Sequence, residues 1–241
     1  MTQKDRLIIA LDVSRASAAQ KIVSEIGDSA STYKVGKQLF TAEGPQVVRD
    51  LVASGRKVFL DLKFHDIPNT VAGAVRSAAE LGVSMLTVHA SGGSKMLRAA
   101  AEASAQSSSK PLILAVTVLT SLNDEDLQEL GLPVGVADQV LRLAGIARNA
   151  GIGGVVASAH EARSLRRNLG EGFAIVTPGV RPAGTVAADQ ARVVTPAEAI
   201  HAGATHIVVG RPITGDPNPQ AATQRILDEI LCGADTLVRG L

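Results

Sequence analysis

The chain has 241 residues, 46% hydrophobic and 20% charged, a balance that suits a globular protein with a substantial core and excludes a disordered one. Its 24 basic and 23 acidic side chains leave a formal net charge of +1, so no overall field draws it to nucleic acid or anionic lipid, and an anion must be held by a local site. With no Trp, one Tyr and four Phe, it also lacks the stacking platforms of single-strand binders.

Short β-branched runs alternate with longer stretches of helical periodicity along the whole sequence, the signature of repeated βα units. The expected strands are Leu7 to Asp12, Ser31 to Val35, Lys57 to Leu62, Ser84 to His89, Leu112 to Val118, Gly153 to Ala157, Ala174 to Thr177 and His206 to Val209. Between and after them the apolar spacing predicts helices over Ala18 to Ile26, Pro45 to Ala53, Thr70 to Leu81, Met96 to Ala105, Val136 to Ala150, Ala159 to Leu169, Pro196 to Ala202 and Pro219 to Leu231. Gly27, Gly55, Gly82, Gly151 and Gly203 each stand where a helix should close in a left-handed turn before the next strand. No low-complexity linker divides the chain, so one domain is expected, spanning residues 1–241. An open doubly wound sheet would show the same alternation. However, no Gly-x-Gly-x-x-Gly follows the first strand, and polar residues stand at the ends of many strands, which favours a single (β/α)₈ barrel, a TIM barrel, with its active face at the strands' carboxyl ends.

No apolar run approaches the roughly 18 residues that cross a bilayer, and the start of the chain lacks the pattern of a secretory leader. Cys232 is the one cysteine, which precludes an internal disulfide and makes the cytoplasm the expected compartment. The scattered His and single Cys match no zinc spacing, so no metal site is expected.

The chemistry concentrates in Asp61-Leu62-Lys63-Phe64-His65-Asp66. Side chains two apart on an extended strand share a face, so Asp61 and Lys63 should project together, with Asp66 returning from the following loop. Acids on both sides of a lysine orient it and keep it charged, as a proton donor beside a developing carbanion requires. Lys34 lies within an otherwise apolar strand and needs a partner; Asp61 is the natural one, extending the series to Lys34, Asp61, Lys63, Asp66. Asp12 ends the first strand, where an aspartate also serves as a helix cap. Thr120 and Ser121 follow the fifth strand. His65 reads as a rim residue and His89 as a hydrogen-bonded layer residue beneath the site. After the seventh and eighth strands come Pro178-Gly179-Val180-Arg181-Pro182 and Gly210-Arg211-Pro212, each pairing a glycine for close approach with a guanidinium that can fork onto a phosphate, in the two loops where barrels grip phosphates. The Gly-, Ala- and Thr-rich stretch from Pro182 to Arg192 reads as a loop able to close over a ligand, carrying Gln190 and Arg192.

Asp61-x-Lys63-x-x-Asp66-Ile67-Pro68-Asn69-Thr70, with Lys34 upstream and the two arginine loops downstream, closely resembles the bacterial orotidine 5'-monophosphate decarboxylases over nearly the whole chain. The acid-lysine-acid core alone is shared with sugar-phosphate enzymes of the same superfamily. The resemblance implies a cofactor-free homodimer that makes uridine 5'-monophosphate. In it Asp12 and Lys34 would hold the ribose, Asp61 would lie near the substrate carboxylate, and Lys63 would protonate carbon 6. Asp66 and Thr70 would cross into the partner's site, Thr120 and Ser121 would meet the pyrimidine, and Gln190 would bridge base and phosphate. Arg181, Gly210 and Arg211 would grip the phosphate. Two other readings stand beside it: a metal-dependent sugar-phosphate aldolase or decarboxylase, and a non-catalytic nucleotide-sensing barrel.

Overall fold

The computed structural model describes residues 2–182 and 194–239, with side chains described as far as residue 234. Eight parallel strands follow one another in chain order: β1 (Leu7–Ala10), β2 (Thr32–Gly36), β3 (Lys57–Phe64), β4 (Met85–His89), β5 (Leu112–Val116), β6 (Gly154–Val156), β7 (Ala174–Pro178) and β8 (His206–Val209). β8 pairs back onto β1 and closes the barrel. All eight expected strands are present, and each expected helix lies on the outer layer within a few residues of its predicted ends, except that the last runs on as Pro219–Arg239. Four short helices, Gln3–Arg6, Lys37–Glu43, Asp124–Glu129 and Arg211–Thr214, are additions to the expected pattern, too brief for a periodic signal to show.

Alternation along the strands divides the core in two. Inward side chains Ile8, Ala10, Phe59, Leu114, Val176 and Val208 fill the barrel, and the outward set, Leu7, Ile9, Tyr33, Val35 and Ile207 among them, is buried under the helices. β6 runs so close to β7 that a Cβ on Gly154 would lie 2.6 Å from both the Cβ and the carbonyl oxygen of Ala174, so only glycine fits there. The five expected helix-closing glycines all have positive φ. At Gly203 a side chain is doubly excluded, because φ is +106° and a Cβ would meet the Arg166 Cβ at 2.9 Å.

The helix Gln3–Arg6 lies at the end of the barrel where the strands begin, capped by Thr2 and Asp5 in a reciprocal box. Asp5 also pairs with Lys57 at the start of β3 (3.0 Å). Hydrogen bonds from Thr2, and then Lys57, hold the Asp5 carboxyl well below the usual carboxylate range. His206, at the start of β8, is 8% exposed. Burial, reinforced by Arg6, pushes its pKa down to about 4. No helix among the described residues is long and apolar enough to cross a membrane.

Candidate active site

At the opposite end, where the strands finish, a cavity of about 420 Å³ opens among Asp12, Lys34, Asp61, Lys63, Thr120, Ser121, Arg181, Gly210 and Arg211, floored by the inward Ala10, Phe59, Val156 and Val208. Nine side chains or backbones singled out in the sequence thus meet at one place, from six different strand ends or the loops after them. A larger hollow of about 900 Å³ adjoins it, sharing Val118 to Ser121 and Pro178 to Val180. The smaller cavity is the chemical one, because the lysines and arginines line it alone.

The charged groups form one alternating line around the mouth. Lys34 Nζ lies 2.8 Å from Asp12 Oδ1 and 3.9 Å from Asp61 Oδ2, and Lys63 Nζ donates to both oxygens of Asp61, at 2.8 and 2.9 Å. The Lys34 and Asp61 side chains are only 12% and 15% exposed, so this pairing is little screened by water. Its order is Asp12, Lys34, Asp61, Lys63. The far end of the expected series differs: Asp66 accepts from the Ile67 N–H (2.6 Å), and among the described residues it forms no ion pair with Lys63. Chain reversal after β3 carries it outward, so it does not return to the lysine within its own chain. Thr70 sits in the first turn of the helix Pro68–Glu80, exposed, and neither it nor Asp66 lines the cavity.

The pairing of Asp61 with Lys63 is present, but plain strand alternation does not produce it. Between β3 and β4 the register runs Leu60 with Leu86 and then Phe64 with Val88, so residues 61–63 of β3 face Thr87 alone. Lys63 occupies this bulge at φ +53°, a left-handed conformation that costs a non-glycine residue roughly 1–2 kcal/mol. Backbone strain of this kind gathers where a side chain must be aimed.

His65 and His89 stack with ring centroids 5.2 Å apart, and His89 Nδ1 lies 2.7 Å from Ser91 Oγ. Burial, together with His65, Lys63 and Lys37, lowers the His89 pKa. His89 is thus hydrogen-bonded, as expected, but it packs on His65 and does not line the cavity.

A family model described as orotidine 5'-phosphate decarboxylase / HUMPS family matches residues 5–226. The chain belongs to this family. The orotidine 5'-phosphate decarboxylase of Moorella thermoacetica is 53% identical over 236 residues, covering 95% of this chain and 94% of that one. The protein of the same name from Alkalilimnicola ehrlichii is 53% identical over 232 residues, 96% of this chain and 98% of its own length. The crystal structure of orotidine 5'-phosphate decarboxylase from Lactobacillus acidophilus superposes with a TM-score of 0.83 at 42% identity, over 93% of this chain and 98% of that chain.

Within this decarboxylase-family barrel two residues beyond those expected shape the array. Gly36 pairs in register with Asp61, and a Cβ on it would lie 3.0 Å from Lys34 Nζ and 3.5 Å from Asp12 Oδ1; its bare Cα leaves the space the ammonium occupies. Thr87, fully buried on β4, accepts from the Lys63 N–H at 2.9 Å and donates to Asp61 Oδ1 at 2.9 Å. A hydroxyl at an inward position of an apolar strand was the one signal available for it. Gln190 and Arg192 lie outside the described residues.

Proposed function

We propose that the protein decarboxylates orotidine 5'-monophosphate to uridine 5'-monophosphate in pyrimidine biosynthesis, without a cofactor. The observation that carries the reading is the Lys63 ammonium held by both oxygens of Asp61 at the mouth of the same cavity that Arg181 and Arg211 line. Two carboxylates and four basic side chains line that cavity, an excess of two positive charges, which suits a phosphate dianion near the arginines. Arg181, Gly210 and Arg211 grip the phosphate, Asp12 and Lys34 the ribose hydroxyls, and Thr120 with Ser121 the pyrimidine.

Loss of carbon dioxide from a ring carbon with no electron sink leaves a localised anion, so the site must stabilise charge as it forms. Lys63 supplies both the field and the proton, which passes from its Nζ to carbon 6 as the carboxylate departs as carbon dioxide. Because the Asp12, Lys34, Asp61, Lys63 line is fixed by its own ion pairs on the strand ends, little reorganisation is left for the reacting step. The phosphate grip, distant from the reacting carbon, contributes by fixing that carbon against the ammonium.

The functional unit in this proposal is a homodimer in the cytoplasm, with Asp66 and Thr70 contributed to the partner's site and Gln190 bridging base and phosphate. Its support is that Asp66 and Thr70 are exposed and do not line their own cavity, and that they flank Ile67, an apolar side chain 67% exposed. The test follows loss of the orotate absorbance. Lys63→Ala should abolish turnover while circular dichroism shows the fold retained, and chelator should leave the wild-type rate unchanged. Substantial turnover by Lys63→Ala refutes the proton-donor role, and a chelator-sensitive rate favours the metal-dependent sugar-phosphate enzymes of the superfamily.

A further inference from the structure

A bulge that sets three residues opposite one leaves backbone groups without ladder partners, and a part-buried N–H must find another acceptor. At Lys63 that acceptor is a side chain. The Thr87 Oγ1 lies 2.9 Å from the Lys63 amide nitrogen and 2.9 Å from Asp61 Oδ1. An ionised carboxylate only accepts, so the hydroxyl hydrogen goes to Asp61 and an oxygen lone pair takes the amide hydrogen. Asp61 in turn binds the Lys63 ammonium through both oxygens. The three residues close a ring in which one hydroxyl joins the backbone and the head of the same lysine.

We infer that Thr87 is the positioning residue for Lys63. Its hydroxyl keeps the bulge open and so aims the ammonium. A regular ladder continued from the Leu60–Leu86 pair would instead set Lys63 opposite His89, two residues past Thr87 and away from its hydroxyl. Full burial and a β-branched side chain on a strand restrict Thr87 to few rotamers, so the hydroxyl is a fixed point against which Lys63 is held at φ +53°. The inference rests on the proton-donor reading for its kinetic consequence only; the hydrogen-bond ring stands apart from it.

The experiment compares Thr87→Val, of similar shape but without the hydroxyl, with Thr87→Ser and Thr87→Cys. It reads kcat and KM for orotidine 5'-monophosphate, calorimetric affinity for uridine 5'-monophosphate, and exchange of the Lys63 backbone amide by NMR. Thr87→Val should lower kcat about 10²-fold, the cost typical of misplacing a reacting group by an ångström. KM and product affinity should move by no more than about threefold, because the arginine loops are untouched. The Lys63 amide should exchange at least tenfold faster while amides of β1 and β5 keep their protection. Thr87→Ser should recover most of kcat and of the protection, and Thr87→Cys should fall between. Should Thr87→Val fail to fold, Ser against Cys carries the comparison. Wild-type kcat or an equally protected Lys63 amide in Thr87→Val, or a serine variant no better than cysteine, overturns the inference. A wild-type protein that leaves orotidine 5'-monophosphate intact refutes the proposed function instead, and the exchange measurement still decides the role of Thr87.

Discussion

Acidification from pH 7.5 to pH 5 should destabilise the fold through His206, at the end of the barrel away from the cavity. Its pKa falls from 6.5 in the unfolded chain to about 4 in the folded one. The sign follows from proton counting. Between these values the unfolded chain binds the proton and the folded one does not, so stability is full above 6.5 and is lost as pH falls toward 4. At pH 5 the unfolded ring is almost wholly protonated and the folded ring about one-tenth so; the linkage integral gives a loss of about 2 kcal/mol relative to pH 7.5. His89, also lowered, acts in the same direction, and Glu161, raised by burial, in the opposite one. Asp5 and Glu198 are lowered carboxylates whose stabilisation is lost chiefly below their ordinary values of 3.8 and 4.5. The clean quantity is therefore a difference between wild type and His206→Gln, in which the other groups cancel. Urea unfolding of both proteins at the two pH values should show the wild type losing about 2 kcal/mol more than the variant. Equal losses, within about 0.5 kcal/mol, would refute the burial argument.

Two glycines give predictions of opposite kind. Gly36→Ala places a Cβ 3.0 Å from Lys34 Nζ, the far end of a flexible chain. The backbone there, φ −94° and ψ −179°, is ordinary for alanine. Stability should therefore hold or rise by up to about 1 kcal/mol, while kcat/KM for orotidine 5'-monophosphate falls about tenfold as the ammonium leaves Asp12; wild-type kinetics would show that Lys34 has room to spare. Gly154→Ala instead drives a Cβ into the Ala174 carbonyl at 2.6 Å and into Leu114 Cδ2 at 2.8 Å. Unfolding midpoints should then report a loss of about 1–3 kcal/mol or more, and an unchanged midpoint would mean that β6 and β7 separate more easily than their register implies.

The barrel was legible because its two signals are local. The alternation of strand and helix repeats eight times and a glycine closes five of the expected helices, so a short error at one strand end leaves the order intact. Convergence of Asp12, Lys34, Asp61, Lys63, Arg181 and Arg211 then follows from topology, since the carboxyl ends of all strands open on one face. The order within the charged line was harder to read. Within one chain Asp12 and not Asp66 joins the line, whereas adjacency in sequence favours Asp66. The bulge was invisible for a related reason: a lysine at positive φ has no compositional mark, and its cause, the Thr87 hydroxyl, lies on another strand. His65 and His89 likewise show their stacking only once β3 and β4 are side by side.

The two ends of the barrel carry separate burdens, and that separation is itself testable. The strained backbone of Lys63 opposes folding at the cavity end, whereas the Asp5–Lys57 pair and buried His206 belong to the opposite end, where no substrate group is expected. His206 begins β8 and Thr87 lies on β4, half a barrel apart in strand order, with only the close-packed interior between them. If that interior is a stable block, the stability changes of His206→Gln and Thr87→Val at pH 7.5 should add to within about 0.5 kcal/mol, and His206→Gln should leave kcat at its wild-type value. A larger coupling in the urea-unfolding double-mutant cycle, or a kcat altered by His206→Gln, would mean that the packed core transmits strain from the bulge to the floor. The division of the barrel into a stabilising end and a reacting end would then be wrong.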